Sequence, residues 1–325
     1  MRDLVIIGGG AASQAAAVYA LDKQIDFVLI SDSLGGRVEP TRPQDRDYLV
    51  GNILVHFDGP DAEDEDQQLI GSAAVHLFER QLRSQRGRLV CDRVTALGRE
   101  GRDFLVQTAS SGPILAATVI VATGATPQRL DALNGSGYLI ADLGHGCTQH
   151  GAGLLGQTVA VVGETEQAIY SAAEFAVHAR QVYLVLPTVA AAARDDVAVL
   201  AARPNITVLA GYEVVEVFGD QRARLLVLQR GDEVLSLDVS AAYMDLGVSP
   251  ASSLVADLAE TVAGGFVRTD SRQATSVPGL FAAGDVSRPE GEQVLTAIGD
   301  GARAARSAHF YLLTRAVPSA VAVAR

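Results

Sequence analysis

Within this 325-residue chain, one short stretch carries a nucleophile beside a base: Cys147-Thr148-Gln149-His150. A thiol with an imidazole close by is a setting that populates the thiolate near neutral pH, and a thiolate can attack a disulfide. The other reading of Cys147 is a thiol without a redox role. The second cysteine, Cys91, falls in the apolar run Leu89-Val90-Cys91 and reads as a small buried hydrophobe of a strand. With only two cysteines, a disulfide scaffold and a cysteine-built zinc site are excluded. His56, His76, His145, His178 and His309 are scattered without the spacing of a ligand set, so no metal site is expected.

A different chemistry is written in the glycines. Gly8-x-Gly10-x-x-Ser13 follows the β-branched run Leu4 to Ile7 and opens an Ala-rich helical stretch, Ala11 to Leu21. Phe27 to Ile30 follows as a second buried strand. Glycines at that junction allow a tight turn and let backbone N–H groups approach a pyrophosphate at the helix N-terminus. Ser13 stands for the third glycine and is small enough to be tolerated. An acid at the end of the second strand would hold a ribose hydroxyl. Ser31 comes directly after Ile30, so Asp32 is the candidate.

The pattern recurs. Thr158 to Val162 leads through Gly163 into a helical stretch, Ala168 to Ala179, and then the strand Val182 to Leu186. Gly163 stands 155 positions after Gly8, which predicts two nucleotide-binding-type α/β folds in one chain. Strands are also expected at Phe104 to Thr108 and Thr118 to Val121, and near Ile206 to Leu209, Leu225 to Leu228 and Ala242 to Leu246. The acidic stretch Asp58 to Gln67 reads as a solvated loop, Leu69 to Leu82 as a helix, and the tail from Ala316 as fraying.

Composition agrees with a two-domain globular chain: 48% of residues are hydrophobic and 20% charged. The net charge of −12 speaks against nucleic acid as a partner. No apolar stretch is long enough to span a membrane, and the apolar run at Leu4 turns into glycines too soon for a secretory signal. A soluble, cytoplasmic protein is expected.

Two further segments end strands in glycine turns: Val119-Ile120-Val121-Ala122-Thr123-Gly124-Ala125 and Val277-Pro278-Gly279-Leu280-Phe281-Ala282-Ala283-Gly284-Asp285. Asp285, just past a strand end, is placed to accept hydrogen bonds from a ribityl hydroxyl, and Gln293 to Ser307 would begin a helix whose N-terminus faces a flavin pyrimidine. With Gly8-Gly9-Gly10, Gly35-Gly36 and Gly247-Val248-Ser249-Pro250, these segments give the whole chain a resemblance to the low-molecular-weight thioredoxin-reductase-like flavoproteins. The resemblance implies non-covalent FAD, a homodimer, and two Rossmann-like three-layer domains, the second inserted in the first. The FAD domain would comprise residues 1–117 and 246–325, the inserted NAD(P)H-binding-like domain residues 118–245. Carried over as FAD contacts are Gly8, Gly10, Ala11, Ala12, Gly36, Asn52, Thr123, Gly124, Gly284, Asp285, Gln293 and Val294, with Ala297 near the ring.

The chain also departs from that family. Its second loop, Gly163-Glu164-Thr165-Glu166-Gln167-Ala168, has Thr165 for the central glycine and two flanking carboxylates that would repel a pyrophosphate. Where the family groups arginines for a 2′-phosphate, this chain runs Pro187-Thr188-Val189-Ala190, with Arg194 alone before Asp195-Asp196. Where the family has Cys-x-x-Cys, Cys147 fills the first place and His150 the second. Arg37 puts a cation where a neutral amide normally meets the isoalloxazine, and Glu292 replaces an arginine before Gln293.

These departures predict an FAD oxidoreductase independent of pyridine nucleotides, passing electrons between a carrier, such as a ferredoxin or reduced flavin, and a thiol/disulfide or other acceptor, a thioredoxin-like protein among them. The alternatives are a ferredoxin/flavodoxin–NADP reductase-like enzyme and a non-catalytic flavin-binding protein. An emptied nucleotide pocket would also leave room for a second planar ligand.

Overall fold

The computed structural model describes residues 1–36, 49–50, 69–70, 88–128, 141–142, 154–220, 222–287 and 293–315. The chain begins with β1 (Arg2–Ile7), α1 (Ala11–Asp22), β2 (Phe27–Ser31), β3 (Leu49–Val50) and β4 (Leu69–Ile70). It continues with β5 (Leu89–Cys91), β6 (Val94–Glu100), β7 (Asp103–Thr108), β8 (Ile114–Val121) and β9 (Ala125–Pro127). Next come β10 (Ala141–Asp142), β11 (Thr158–Val162), α2 (Glu166–Phe175), β12 (Gln181–Leu186), α3 (Asp195–Ala201) and β13 (Ile206–Ala210). The remainder is β14 (Glu213–Gly219), β15 (Ala223–Arg230), β16 (Glu233–Asp238), β17 (Ala241–Met244), β18 (Val248–Pro250), β19 (Leu280–Ala282) and α4 (Val294–Arg315).

The chain divides into two compact units, Met1–Thr126 with Pro250–Arg325, and Pro127–Ser249. The boundaries expected at 117/118 and 245/246 therefore shift toward the C-terminus. The reason is strand pairing: Thr118 to Val121 lie parallel to Leu4 to Ile7 of β1, so a cut at 118 would split a central strand of the first sheet.

In the first unit, β5, β2, β1, β8 and β19 run parallel, and β6 and β7 extend the sheet from β8 as an antiparallel meander. The side-chain period of two sends alternate residues of each strand to opposite faces. Leu4, Ile6, Phe27, Leu29 and Ile120 face the alanines of α1 and α4, whereas Val5, Ile7, Val28, Val119 and Val121 pack with Phe104, Val106 and Val255. The small residues of α1 let the helices approach closely: a Cβ on Gly301 of α4 would lie 1.9 Å from the Ala12 carbonyl oxygen.

The second unit repeats the plan with a five-stranded parallel sheet, β10-β17-β11-β12-β13, and a separate meander, β14-β15-β16. Val159, Val161, Val182 and Leu184 face α2 and α3, and Ala160, Val162, Val185 and Met244 face the meander. Each unit is thus helix, parallel sheet and meander, the three-layer α/β class read from the two glycine-punctuated repeats.

Two local expectations fail. Leu69-Ile70 is not the start of a helix but strand β4, paired antiparallel with Leu49-Val50. The rest of the expected helix, with the acidic loop before it and the tail from Ala316, lies outside the described residues. Cys91 is not buried: it is the exposed last residue of β5, a free thiol whose Sγ is 3.6 Å from the Asp32 carbonyl oxygen. Among the described residues, β5 has β2 on one side only, so it is an edge, and an edge strand's end offers little cover.

Beyond Cys91, Asp92 ties two turns together, accepting from Arg93 N at 2.7 Å, Ser110 N at 3.0 Å and Ser111 N at 2.6 Å. Hydrogen bonds from Ser111, then from these backbone groups, hold its carboxyl far below the usual carboxylate range. A carboxylate with a depressed pKa in the folded state stabilises the fold above its ordinary value of 3.8, and that contribution disappears as pH falls through the folded value. Asp92→Asn should therefore lower the melting temperature at pH 7 by roughly a few degrees, and the gap to wild type should close on titration below pH ~3. Melting curves across that range check it; a constant gap would assign the loss to packing.

Candidate functional site

Strand β1 ends at Ile7 and the chain turns at Gly8, whose φ of +122° is open to glycine alone in practice. A Cβ on Gly8 would meet the Ala122 carbonyl oxygen at 2.2 Å. That contact draws the loop onto the end of β8, beside Thr123. Gly10 is the N-cap of α1 and brings no side chain to cap it. Among the described residues a Cβ built there would have nothing nearer than Gly36 Cα, at 4.0 Å. The first-turn N–H groups of Ala11, Ala12 and Ser13 have no partner within the helix. Ser13 sends its hydroxyl to Gly10 O at 2.7 Å, and the buried Gln14 amide donates to Gly9 O at 2.7 Å, which pins the loop from behind. This cradle fits the pyrophosphate of a dinucleotide.

The other expected contacts of the first unit gather around the same helix end. Gly35 N donates to Gly9 O at 2.8 Å, which brings Gly36 against Gly10. Gly284 opens a 3₁₀ turn, Gly284–Val286, after β19, and a Cβ on it would lie 3.0 Å from Ala12 Cβ and 3.7 Å from Ala297 Cβ. Ala12, Gly284 and Ala297 therefore meet at one place, with half-buried Asp285 next in the turn and Val294 opening α4. Gln293 precedes that helix, its carbonyl accepting from Ala297 N at 3.0 Å. Thr123 spends its hydroxyl on Ala251 O at 2.6 Å, and Gly124 O accepts from Ala251 N at 2.9 Å, which ties this turn to the chain after β18. Arg37, Asn52, Cys147, His150 and Glu292 lie outside the described residues.

Asp32 is exposed past the end of β2, and both of its guanidinium bonds fall on one oxygen: Arg93 Nε at 3.0 Å and Nη2 at 2.7 Å reach Oδ2. Oδ1 takes no hydrogen bond among the described residues. Arg93 is the residue that sequence reasoning missed. Its neighbourhood is set by the parallel pairing of Ser31 with Cys91, a contact between strands 60 positions apart. The available signal was a basic residue just past a predicted strand.

The second loop keeps one half of this design. Gly163 has φ +145°, and a Cβ on it would meet Asp245 O at 1.9 Å, the same close approach as Gly8 to Ala122. The ligand half differs. Thr165 is the N-cap of α2, its Oγ1 accepting from Ala168 N at 3.0 Å, and a Cβ on Gly247 would find Thr165 Cγ2 at 3.7 Å. Glu166 adds an acid in the first turn. Across the end of the sheet, Glu164 Oε2 accepts from Thr188 N at 3.1 Å and from Thr188 Oγ1 at 2.6 Å. Arg194, eight residues past the end of β12, donates from Nη1 to Glu164 O at 2.7 Å and grips Asp196 through Nε at 3.1 Å and Nη2 at 2.7 Å. That grip holds the Asp196 carboxyl below its usual range. The residues present do not fit a pyridine dinucleotide: Thr165 puts a side chain at the helix end where the first loop has Gly10, and Ala168 N and both Thr188 donors already end on the chain's own oxygens.

Among the described residues no three of His, Cys, Asp and Glu cluster as a metal site, and no helix is long and apolar enough to cross a membrane.

Gly8→Ala should leave a folded protein that purifies with most of its flavin lost, because the loop must move off Ala122. Asp32→Ala should weaken FAD binding by roughly tenfold, the scale of one charge-assisted hydrogen bond. Arg93→Ala, which frees the second oxygen of Asp32, should weaken it less. Flavin content and fluorescence titration of the apoprotein read all three; equal losses for Asp32→Ala and Arg93→Ala would show that the pair acts only as a clasp.

Comparison with known proteins finds similar sequences and folds along nearly the whole chain. The family described as Pyridine nucleotide-disulphide oxidoreductase matches residues 2–301. A protein named NADH dehydrogenase from Ferdinandcohnia aciditolerans is 25% identical over 99% of this chain and 60% of its own length. The F polypeptide of alkyl hydroperoxide reductase from Pseudomonas aeruginosa is 26% identical over 97% of this chain and 59% of its own. The chain thus spans about 60% of the length of these curated relatives. Among solved structures, thioredoxin reductase from Streptococcus pyogenes has the same fold, with a TM-score of 0.77 at 24% identity over 97% of this chain and 99% of that one. Thioredoxin reductase from Giardia duodenalis is similar, at 0.77 and 24% over 96% and 99%. With a match running through both units and the glycine cradle of the first in place, the chain belongs to the pyridine nucleotide-disulphide oxidoreductase family, whose cofactor is FAD.

Proposed function

We propose that this protein is a thioredoxin-reductase-like FAD oxidoreductase that works without a pyridine nucleotide, passing two electrons between a small carrier and a thiol/disulfide acceptor. The observation that carries this reading is the contrast between two loops of one design. In the first, Gly10 leaves the end of α1 open. In the second, Thr165 caps the end of α2 with its own hydroxyl and Glu164 takes the Thr188 donors.

FAD, when bound, supplies two-electron chemistry, and the protein supplies orientation and electrostatics. Gly8, Gly10, Ala11 and Ala12 would hold the pyrophosphate, and Asp32, steadied by Arg93, a ribose hydroxyl. Thr123, Gly124, Gly284, Asp285, Gln293, Val294 and Ala297 would frame the flavin end, with Gly36, Arg37 and Asn52 completing the set. Cys147 is the thiol through which a disulfide would be reached, and His150 the base that keeps it ionised. Two electrons and two protons convert the acceptor disulfide to two thiols while the carrier is oxidised. A ferredoxin-type carrier or a reduced flavin is the donor class and a thioredoxin-like protein the acceptor class, in a cytoplasmic homodimer.

Anaerobic flavin absorbance, titrated with NADPH, NADH and then dithionite, tests the reading. Reduction by dithionite alone is expected. Bleaching by either nucleotide at micromolar concentration would overturn it in favour of a ferredoxin–NADP reductase-like enzyme. Cys147→Ser should keep its flavin and lose disulfide turnover; unchanged turnover would remove Cys147 from the reaction.

A further inference from the structure

We infer that Glu164 is the specificity-determining residue of the second unit: a built-in anion held where the 2′-phosphate of NADPH would otherwise bind. The inference rests on the proposed pyridine-nucleotide independence and names the residue responsible for the phosphate end of it.

In a fold of this kind, the residues just past the second strand meet the 2′ position of the adenosine ribose. Here that strand is β12, ending at Leu186, and Thr188 stands two residues beyond it. Thr188 presents a backbone N–H and a hydroxyl side by side, a donor pair suited to a phosphate oxygen. The hydroxyl gives its proton to Glu164, since an ionised carboxylate can only accept, and its oxygen accepts in turn from Ala191 N at 3.3 Å. Both donors end on the same carboxylate oxygen, Oε2. The guanidinium of Arg194 is drawn onto the Glu164 backbone and neutralised by Asp196. The arrangement therefore has two convergent donors of an anion site, with a carboxylate of the same chain as their occupant and the neighbouring guanidinium spent on Asp196. An incoming phosphate would lose those donors and face a like charge a few ångströms away.

This differs from the block at Thr165, which concerns the pyrophosphate at the other end of the nucleotide. The probe must therefore carry the 2′-phosphate without the pyrophosphate. We would titrate holoprotein with 2′-AMP and, as its isomer, 5′-AMP, by ligand-observed NMR, in wild type, Glu164→Ala and Glu164→Gln. Retained FAD and melting temperature report that each variant is folded.

Wild type is expected to bind neither isomer measurably. Glu164→Ala should bind 2′-AMP at least tenfold more tightly than 5′-AMP, and Glu164→Gln should show the same order with a smaller gain, since its amide oxygen can still accept from Thr188. Adding Thr188→Val to Glu164→Ala should erase the preference. No gain in either folded variant, or equal gains for both isomers, overturns the inference while leaving the proposed function standing. Binding of 2′-AMP by wild type overturns the inference. If NADPH then also bleaches wild-type flavin, the functional reading falls with it.

Discussion

The close approach of a loop glycine to a strand-end carbonyl governs both units. Gly8 sits on Ala122 O and Gly163 on Asp245 O, with room for hydrogen and not for a methyl group at either place. Each contact joins the end of the first strand to the end of its parallel neighbour, β8 or β17, and so fixes where the following helix starts relative to the sheet. Everything else at the carboxyl edge takes its position from that start, including the open end of α1, the Gly36 turn and the meeting of Ala12 with Gly284. The glycine two positions on has a separate task. Gly10 leaves its helix end to a ligand and Thr165 caps its own, yet both helices form and pack. Fold and ligand binding are therefore carried by different positions of one motif. This explains how a unit can keep its architecture without an open cradle for a nucleotide.

The parts of this design that are legible in the sequence are those set by local pattern. The β-branched runs at Leu4, Phe27, Thr158 and Val182 become β1, β2, β11 and β12, because a strand buried on both faces needs continuous apolar residues. Both glycine loops are legible for the same reason. What escapes depends on pairing at long range. Nothing in the run from Leu115 to Val121 says that β8 is shared by β1, β7 and β19, so a boundary drawn from pattern alone falls inside it. Cys91 reads as buried because Leu89 and Val90 are apolar, but burial of a strand's last residue depends on whether another strand lies beyond it. Arg93 cannot be paired with Asp32 until β5 is known to lie beside β2. Glu164 is visibly hostile to a pyrophosphate, but its reach to Thr188 spans 24 positions and two loops.

The exposed ion pairs here matter for position more than for stability. Arg93 and Asp32 are both more than half exposed, as side chains at 73% and 55%, and pairs of that kind contribute little net free energy. Their effect is to limit where the carboxylate points, which is what a ribose contact requires. Arg194 and Asp196, with side chains 38% and 44% exposed, likewise fix each other's direction. A chain with a net charge of −12 has carboxylates to spare, and Asp32, Glu164 and Asp196, beside its nucleotide-type loops, are held by named donors rather than left to solvent.

A helix N-terminus and the loop past a strand end both present polar groups that need acceptors, and in a nucleotide-binding fold the nucleotide supplies them. A unit of this fold without its ligand must satisfy those donors in another way or leave them to water. The second unit satisfies several of them internally and in kind: a hydroxyl oxygen for Ala168 N, a carboxylate for Thr188 N and Oγ1, and a second carboxylate for Arg194. Each of these is an oxygen acceptor, as a nucleotide's would be, and two of the three are anionic, as phosphates are. Apolar filling would have served packing equally well and left those donors unpaired. The use of oxygen anions shows that the electrostatic demand belongs to the fold itself, whichever partner meets it. It also shows why the first unit cannot be treated likewise: Gly10 has no side chain with which to satisfy α1, so that helix end depends on what binds there.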